Sequence, residues 1–464
     1  MFNSNIYIER RSVLKSNIQS GIILFLGNNE SPMNYADNSY RFRQDSTYLY
    51  YFGVDQPGLA AIIDIDTDKE IIFGNELTID EIVWMGAMET IASKASKAGI
   101  SQVLPLSDLE SYLRKAISSN RRIHFIPQYR EANMIWIENL LGIKHSQVNN
   151  YSSVQLIRSI ANQRSIKSEE EIQEIEDAVD IAFEMFTTAM DIIEPGTYES
   201  DISGFIEGIA LERGNGLSFP AIVSVHGEIL HNHYHGNMLE EGNLLVIDAG
   251  AESVLHYASD ITRTFPVGGK FSGIQKDIYE LVLRANLKGI ESIKPDIYYK
   301  EVHLNVAKLI AEGLKDLGFL KGNVDDIVHA GAHALFFPHG LGHLLGLDVH
   351  DLENLGENYT GYDDNIERSK QFGLRSLRFG KKLQPGFVMT VEPGIYFIPQ
   401  LIKNWQSEGK YKDFINYQKA NEYTAFGGIR IEDDVLVTEN GSRILGTPIP
   451  KSVEEIESAM ALNL

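Results

Sequence analysis

The chain has 464 residues and contains no cysteine. Disulfide bonds and thiolate metal sites are therefore excluded, so any transition-metal site must use histidine, aspartate and glutamate. The sequence also lacks an apolar run of about 18 residues, the length that a membrane-spanning helix needs. Its N-terminal segment has no apolar core of the kind found in a secretory signal. We therefore expect a soluble, cytoplasmic protein that does not associate with a membrane.

Basic residues are also scarce, because 41 Lys and Arg stand against 64 Asp and Glu and the formal net charge is −23. The basic residues are scattered along the chain rather than clustered. Binding to a phosphate backbone depends on clustered positive charge, so no nucleic-acid partner is expected. Most of the acidic surplus is expected on a solvated surface.

The length of the chain predicts two domains. In residues 1–160, short apolar runs alternate with helical stretches, as is typical of an α/β domain. The polar segment Lys144–Lys167 predicts the boundary, so that the second domain covers residues 165–464. The predicted strands of the first domain are Ile22–Leu26, Leu59–Ile65 and Glu70–Phe73, and its predicted helix is Thr78–Ala92.

The second domain is predicted to be of the α+β class. Ser168 and Glu171 form a capping box ahead of apolar residues at helical spacing, which indicates the start of a long helix. Pro and Gly close the helices that follow. Further helices are predicted near residues 197–214, 274–293 and 302–317, with strands over Asn243–Ile247, Ile261–Val267, Val388–Val391 and Gly428–Val437.

Two acids interrupt neighbouring strands of this domain: Asp248 ends one apolar run and Asp260 opens the next. Taken alone, each acid could simply begin a turn. The two runs can form a hairpin, in which Asp248 and Asp260 could face each other across adjacent strands. Two carboxylates in that arrangement would repel each other unless cations lay between them. A pair of metal ions is one direct resolution.

Two glutamates follow the same pattern further along the chain. Glu392 ends an apolar strand just before Pro393. Arg430 and Glu432 are two residues apart, so they share one face of a predicted strand. That pair could be a salt bridge at a sheet edge, or a metal ligand with its charge-balancing partner.

A histidine-rich segment lies between these acids. His339 and His343 have the i,i+4 spacing of zinc-protease helices, but glycines at positions 340, 342 and 346 disfavour a helix. A glycine-rich loop instead suits close approach to a ligand or a metal ion. Ordinary turn histidines, on the surface or in the core, are the alternative.

A second histidine cluster precedes the first acid. His231, His233 and His235 alternate along the chain, so an extended segment would place them on one face. One of them is expected to move a proton near the reacting bond. At least one of the three is expected to be a plain surface residue.

Five segments in this order resemble motifs of the pita-bread metallopeptidases: VIDAG, SDITRTFP, HGLGHLLGLDVHD, TVEPGIYF and GGIRIEDD. Within that family they resemble the branch of Xaa-Pro aminopeptidases and Xaa-Pro dipeptidases. The N-terminal segment FRQDSTYLYYFG resembles the N-terminal domain of aminopeptidase P. The resemblance implies a pita-bread catalytic domain behind a smaller creatinase-type α/β domain, and a homodimer or tetramer built partly through the N-terminal domain.

The same resemblance implies a dinuclear metal site. Asp248 would bind one metal ion, Asp260 and Glu432 would bridge both, and His343 and Glu392 would bind the other. Manganese is the metal that the resemblance implies, although cobalt, zinc and iron also suit these ligand types. A metal-bridging hydroxide would be the nucleophile, and Glu392 would take and return the proton.

Other residues receive roles from the resemblance as well. His231, His339 and His350 fall on positions that stabilise the tetrahedral intermediate or bind substrate. Arg430 would orient Glu432 and lower its pKa. The departure from the family pattern lies between the first two acids, which are 12 positions apart instead of eleven. We expect the extra residue in the turn around residues 252–256.

The implied substrates are peptides with proline at the second position. The segment GLRSLR and the insertion at residues 400–427 resemble the dipeptidases. Arg378 in that segment could bind the carboxylate of a dipeptide, or could form a surface salt bridge. We predict an Xaa-Pro aminopeptidase, with an Xaa-Pro dipeptidase as the alternative. A creatinase-like amidinohydrolase or a non-enzymatic binding module of this fold is disfavoured, because all five ligand positions are filled.

Overall fold

The computed structural model describes residues 1–461, which form two compact units. One unit consists of Met1–Arg164 together with Asn354–Tyr359. The other consists of Ser165–Glu353 and the chain from Thr360 onward. Within residues 1–461, each helix is too short or too polar to span a lipid bilayer.

The first unit is an α/β structure. Its strands are β1 (Ile22–Leu26), β2 (Ala60–Asp64), β3 (Lys69–Phe73), β4 (Gln102–Leu104) and β5 (Ile123–His124). Its helices are α1 (Ser4–Asn17), α2 (Ser46–Phe52), α3 (Ile79–Met85), α4 (Ile91–Lys97), α5 (Asp108–Ser118), α6 (Glu131–Leu141) and α7 (Val154–Ser165), with a 3-10 helix at His145–Tyr151.

A single mixed sheet organises this unit, with the strand order β4-β3-β2-β1-β5. The three central strands are antiparallel, and the outer strands β4 and β5 run parallel to their neighbours. Apolar side chains of the sheet pack against helices α5 and α6 in one buried cluster. The three strands predicted from the sequence are present.

One local prediction in this unit is wrong. The stretch Thr78–Ala92 is not one helix, because Gly86 has φ +81° and ends α3 before α4 begins. The polar segment Lys144–Lys167, predicted as the domain boundary, contains the 3-10 helix and α7, and the first unit's main segment ends within it at Arg164. The polar residues of α7 are compatible with a helix that is only partly buried.

The second unit mixes long helices with short strands. Its helices are α8 (Glu169–Ile192), α9 (Glu199–Arg213), α10 (Gly273–Ser292), α11 (Tyr299–Asp316), α12 (Val324–Ala330), α14 (Pro399–Ser407), α15 (Tyr417–Glu422) and α16 (Val453–Ala461). The short helix α13 (Glu357–Thr360) lies mostly in the segment assigned to the first unit. Its strands are β6 (Ile222–Ser224), β7 (Leu244–Ala249), β8 (Ile261–Pro266), β9 (Val388–Val391), β10 (Gly394–Tyr396), β11 (Gly428–Arg430), β12 (Asp433–Val437) and β13 (Ser442–Ile444). Shorter 3-10 helices lie at Ala332–Leu335, Glu353–Leu355 and Leu374–Ser376.

The predicted capping box is present at the start of α8. The hydroxyl of Ser168 accepts the N–H of Glu171 at 3.4 Å, and the carboxylate of Glu171 accepts the N–H of Ser168 at 3.1 Å. This reciprocal pair satisfies two N–H groups that the first turn of a helix leaves without partners.

Three antiparallel sheets carry the strands of this unit, with the orders β6-β7-β8, β13-β12-β9 and β10-β11. The prediction of one strand over Gly428–Val437 is wrong, because the chain changes sheets within it. At the change, the N–H of Ile431 bonds to the carbonyl of Pro393, and that of Glu432 bonds to the carbonyl of Thr262. These bonds leave Glu432 between β11 and β12 rather than inside a strand.

The register of β7 and β8 refines the predicted hairpin. Asp248 lies opposite Thr262, not opposite Asp260. Asp260 is two residues from Thr262, and side chains two apart share a face of a strand, so the two acids are diagonal neighbours. The turn in which the extra residue is expected contains a bridge between Glu252 and Ala258, and His256 in it has φ +70°.

Candidate metal centre and active site

The four acids come from strand ends that meet in the second unit. Asp248 lies in β7, and Asp260 comes directly before β8. Glu392 follows β9, and Glu432 precedes β12. Because β9 and β12 are paired, the last two acids are brought to the same end of one sheet.

The loop that carries His343 lies directly against β9. The N–H of His343 donates to the hydroxyl of Thr390 at 3.2 Å, and the N–H of Thr390 donates back to the carbonyl of His343 at 3.0 Å. A Cβ on Gly342 would stand 2.1 Å from the carbonyl oxygen of Thr390. The loop can approach the strand this closely only because residue 342 is glycine.

Three of the candidate ligands form a tight buried group. One ligand atom each from Asp260, His343 and Glu432 lies within 4.8 Å of the others. The Nε2 atom of His343 is 3.3 Å from an oxygen of Asp260 and 3.7 Å from an oxygen of Glu392. Carboxylate and imidazole atoms at this spacing suit divalent cations.

The carboxylates carry unsatisfied oxygens. Within residues 1–461, Asp248 Oδ1, Asp260 Oδ1 and Glu432 Oε1 are buried and have no hydrogen-bond partner. Buried polar atoms are nearly always paired in native proteins, so three such atoms in one place call for an explanation. Three anionic acceptors that point to no donor fit a metal site.

The pKa values of these buried acids also reflect their mutual repulsion. Burial, together with the charges of Glu432 and Asp248, raises the pKa of Asp260 well above its ordinary value. Burial and the charges of Glu392 and Asp248 likewise raise the pKa of Glu432. Burial raises the pKa of Glu392 to about 8, although Arg430 opposes the shift. Positive charge placed among these groups would relieve the repulsion.

The hydrogen bond of His343 fixes the form of its ring. Nδ1 lies 3.1 Å from the carbonyl oxygen of Leu344, and a carbonyl can only accept, so Nδ1 carries the proton. The lone pair of Nε2 then faces Asp260 and Glu392. Burial also lowers the pKa of His343, which keeps the ring neutral. This is the tautomer that a metal ligand requires.

Arg430 makes no direct hydrogen bond to Glu432, although its charge acts to lower the pKa of Glu432 as expected from the sequence. Its Nη2 donates to Asp248 at 2.5 Å, and its Nε donates to the hydroxyl of Thr262 at 3.1 Å. Thr262 in turn donates to Glu432 at 2.7 Å. The change of sheet after Arg430 separates the two side chains, so Arg430 reaches Glu432 through Thr262.

Tyr396 joins Arg430 to a histidine. Its hydroxyl accepts from Arg430 Nη1 at 2.9 Å and lies 2.9 Å from His339 Nε2. His339 Nδ1 lies 2.8 Å from the carbonyl oxygen of Gly340, so Nδ1 carries the proton and Nε2 accepts from Tyr396. Burial, followed by the charge of Arg430, lowers the pKa of His339 to about 3. The ring is therefore neutral.

A second cluster lies around Glu353. Its Oε2 atom is 2.6 Å from His350 Nδ1, and its Oε1 atom accepts from Arg378. The rings of His350 and His343 are 4.1 Å apart, so this cluster adjoins the buried acids. Glu353 holds His350 and Arg378 together, and no sequence motif had indicated this half-buried acid.

The three alternating histidines separate in the structure. His231 and His233 line the same cavity as the acids. His235 Nε2 instead lies 3.2 Å from the carbonyl oxygen of Ala221. Burial, followed by the charge of Arg430, lowers the pKa of His231.

One cavity of about 580 Å³ collects all of the site residues predicted from the sequence. Its walls also include apolar side chains that no motif indicated, among them Phe219, Ile222, Leu230 and Val349. Predicted residues lining the cavity are Asp248, Asp260, His343, Glu392, Glu432, Arg430, Arg378, His231, His339 and His350.

Sequence reasoning missed the two hydroxyls that connect these groups. Thr262 comes two residues after Asp260, and side chains two apart share one face of a strand. This spacing was the available signal that Thr262 lies near the acids. Tyr396 follows the TVEPG segment, but the closeness of its hydroxyl to both Arg430 and His339 depends on the pairing of β10 with β11.

Comparison with known proteins places the chain in a family. A model described as metallopeptidase family M24 matches residues 173–439. A second model, the aminopeptidase P N-terminal domain, matches residues 7–124. The first match alone covers more than half of the chain. The chain belongs to metallopeptidase family M24, which confirms the predicted family and fold class.

Individual relatives span nearly the full chain. The Xaa-Pro dipeptidase of Homo sapiens is 33% identical over 454 residues, covering 96% of this chain and 90% of that protein. The Xaa-Pro aminopeptidase of Escherichia coli K12 is 30% identical, covering 97% of this chain and 96% of that protein. A solved structure of Pseudomonas aeruginosa aminopeptidase PepP superposes with a TM-score of 0.82 at 27% identity, covering 100% of this chain and 99% of the other.

Proposed function

We propose that this protein is a metal-dependent exopeptidase that hydrolyses the bond between an N-terminal residue and a following proline. The observation that carries the proposal is the buried group of acids and histidines in one cavity, with three carboxylate oxygens unpartnered among residues 1–461. The preference for proline is supported by the names of the relatives, which include both Xaa-Pro aminopeptidases and Xaa-Pro dipeptidases.

The residues proposed to hold two divalent metal ions are Asp248, Asp260, His343, Glu392 and Glu432. Bound there, the ions would polarise the peptide carbonyl and lower the pKa of water enough for it to act as a nucleophile. Manganese is our proposal for the metal. Reconstitution of the metal-free protein with manganese, cobalt, zinc or iron, followed by activity assays, would identify the ion that gives the highest kcat/KM.

Glu392 is the proposed general base and acid. Its side chain is 20% accessible and lines the cavity, so a water molecule or a peptide could approach its carboxylate. It would take the proton from the attacking water and return it to the leaving nitrogen of proline.

His350 donates Nδ1–H to Glu353, so its Nε2 is left to contact substrate. His231 and His339 are proposed to contact the substrate carbonyl or the tetrahedral intermediate.

We propose aminopeptidase action on peptides of three or more residues as the leading function. Dipeptide hydrolysis is the second candidate, and two observations favour it. Arg378 lines the cavity and could pair with the free carboxylate of a dipeptide. Relatives that are 32–33% identical carry the name Xaa-Pro dipeptidase.

Substrate length separates the two candidates. Manganese-loaded protein would be given an Xaa-Pro dipeptide and an amidated Xaa-Pro-Yaa tripeptide with the same first residue. Cleavage of the tripeptide supports aminopeptidase action, whereas cleavage of the dipeptide alone would exclude it. If Arg378 binds the dipeptide carboxylate, Arg378→Met should raise KM for the dipeptide about tenfold or more. Arg375→Met, at an exposed neighbour, is the matched control and should leave KM unchanged.

We also propose a homodimer or tetramer in the cytoplasm. Helix α3 exposes Ile79, Val83, Trp84 and Met85, with Trp84 87% accessible. Contiguous apolar surface of this kind is typical of contacts between proteins. Light scattering after gel filtration should give a multiple of the monomer mass, and Trp84→Glu should lower that mass. A wild-type monomer would contradict the oligomer. Cell fractionation would test the cytoplasmic location.

A further inference from the structure

A buried hydrogen-bond network lies behind the carboxylates and has no role in the chemistry described above. Its centre is Arg263 in β8, which is 1% exposed. Each of the five guanidinium N–H groups has an acceptor. Nε donates to the carbonyl of Pro450 (3.0 Å), Nη1 to the carbonyls of Thr262 (2.9 Å) and Glu432 (2.6 Å), and Nη2 to the carboxylate of Asp433 (2.8 Å) and the carbonyl of Ile449 (3.1 Å).

Lys451 extends the network towards the other glutamate. Its Nζ lies 2.7 Å from an oxygen of Asp433 and 3.0 Å from the side-chain oxygen of Asn286. Asn286 is completely buried, and its Nδ2 donates to the carbonyl of Val391 at 2.9 Å. Val391 is the residue before Glu392. The network is therefore hydrogen-bonded to the main-chain carbonyl of Glu432 on one side and to that of Val391, next to Glu392, on the other.

This arrangement is costly if stability is its only purpose. Arg263 and Asp433 are held away from water and Lys451 is only 16% accessible, whereas apolar side chains of the same volume often stabilise a protein as well or better. What such a network does provide is a fixed position for the main chain to which it is bonded. Metal ligands depend on this kind of support, because small displacements of a ligand weaken binding.

We propose that Arg263, Asn286 and Lys451 are positioning residues that fix the separation between Glu392 and Glu432. The segment Ile449–Lys451 supplies one of the cations and two of the carbonyl acceptors, so it becomes part of the support for the metal centre. The inference rests on the proposed function in one respect, namely that Glu392 and Glu432 bind metal.

Lys451→Met tests the inference in the full-length protein. The change removes the ammonium group and keeps most of the stem, while Arg263 still pairs with Asp433. Manganese binding to the metal-free protein, measured by calorimetry, should weaken about tenfold, the lower end of the range for such supporting residues. At saturating manganese, kcat should fall while KM stays unchanged. Lys451→Arg should restore both properties, because a guanidinium can donate to the same two oxygens.

Lys15→Met is the matched control. Lys15 is also a partly buried lysine with two acceptors, Asp68 at 2.9 Å and Glu70 at 3.1 Å, and it belongs to the other unit. Both methionine variants should lose thermal stability to a similar extent, but only Lys451→Met should lose manganese affinity. Wild-type manganese affinity in a folded Lys451→Met protein would overturn the inference.

A second variant tests the same positioning role if Lys451→Met does not fold. Asn286→Asp keeps the size of the side chain and an oxygen for Lys451 but removes the donor to Val391, so it should also weaken manganese binding about tenfold. Unchanged affinity would overturn the inference. If wild-type protein binds manganese but cleaves no Xaa-Pro peptide, the proposed function fails, while the affinity comparison still decides the role of the network.

Discussion

At the scale of single residues, Glu392 combines two demands that oppose each other. A metal ligand must be ionised, whereas burial raises the pKa of Glu392 to about 8. Its carboxylate lies 3.7 Å from His343 Nε2 and 3.8 Å from His339 Nδ1. With a 20% accessible side chain, it is the least buried of the four acids. An acid that is partly open to the cavity is placed to exchange a proton with substrate.

Glu392→Gln should therefore reduce kcat by about 100-fold or more, because glutamine keeps the shape of the side chain but cannot accept a proton. The melting temperature of the metal-free protein should not fall, since the change removes a charge from a group of mutually repelling acids. Steady-state kinetics and thermal melting measure the two effects. Glu422→Gln, at an exposed glutamate, serves as the control, and retained turnover in Glu392→Gln would contradict the proposed role.

At the scale of elements, the packing of the His343 loop on β9 leaves no space for a side chain at position 342. The Cβ of Gly342→Ala would stand 2.1 Å from the carbonyl oxygen of Thr390. We expect a loss of about 1–3 kcal/mol in the free energy of unfolding, together with weaker manganese binding as His343 is displaced. Urea denaturation and calorimetry measure these effects.

The control for this change is Gly208→Ala in α9, where the added Cβ would meet no atom within 4 Å. Replacing a glycine inside a helix by alanine should stabilise the protein by about 0.5–1 kcal/mol. The same substitution should thus have opposite signs at the two positions. A neutral or stabilising Gly342→Ala would show that the loop can move away from β9 without cost.

Helix α11 buries a histidine that has no hydrogen-bond partner among residues 1–461. Both ring nitrogens of His303 are unpaired, and its ring stacks on Phe337 at 5.4 Å. Burial, followed by the nearby His333 and His339, lowers the pKa of His303 from 6.5 to about 3. The unfolded chain therefore binds more protons than the folded protein between these pH values. This contribution to stability is complete above pH 6.5 and is lost as the pH falls towards 3.

At pH 5 the loss from this one histidine should be about 2 kcal/mol relative to pH 8. His303→Phe keeps an aromatic ring on Phe337 and removes the titration, so its unfolding free energy should fall less on acidification. Urea denaturation at the two pH values measures the difference. His329→Phe, at an exposed histidine, is the comparison, and an equal acid sensitivity of His303→Phe and wild type would refute the explanation.

At the scale of the whole molecule, we propose that the two compact units correspond to the predicted domains, 1–160 and 165–464. All five candidate ligands belong to the second unit. Metal binding stabilises only the structure that contains the site, by about 2.7 kcal/mol at a metal concentration 100 times the Kd. Scanning calorimetry should therefore show two transitions, and manganese should raise the temperature of one of them.

Asp260→Asn provides the control for this experiment, because it should abolish the manganese-dependent shift and leave the other transition in place. A single transition that moves as a whole with manganese would contradict separate domains. A shift that persists in Asp260→Asn would contradict the assignment of that residue as a ligand.

The sequence by itself determined the chemistry of the site and its family. Residue types and their order predicted the acids and histidines of the cavity, since a strand that ends in an acid and a glycine-rich loop with histidines are local features of the chain. The α+β class and the long helices followed from periodicity, which is also local.

Tertiary structure alone decided how these residues are connected. Tyr396 and Thr262 contact side chains far away in sequence, as Glu353 does through Arg378, and no local pattern reports such contacts. The same holds for the break between β11 and β12, which separates Arg430 from Glu432, and for Arg263, whose acceptors lie as far along the chain as Pro450. Hydrogen bonds between distant segments depend on the packing of whole sheets, so they become visible only when the fold is known.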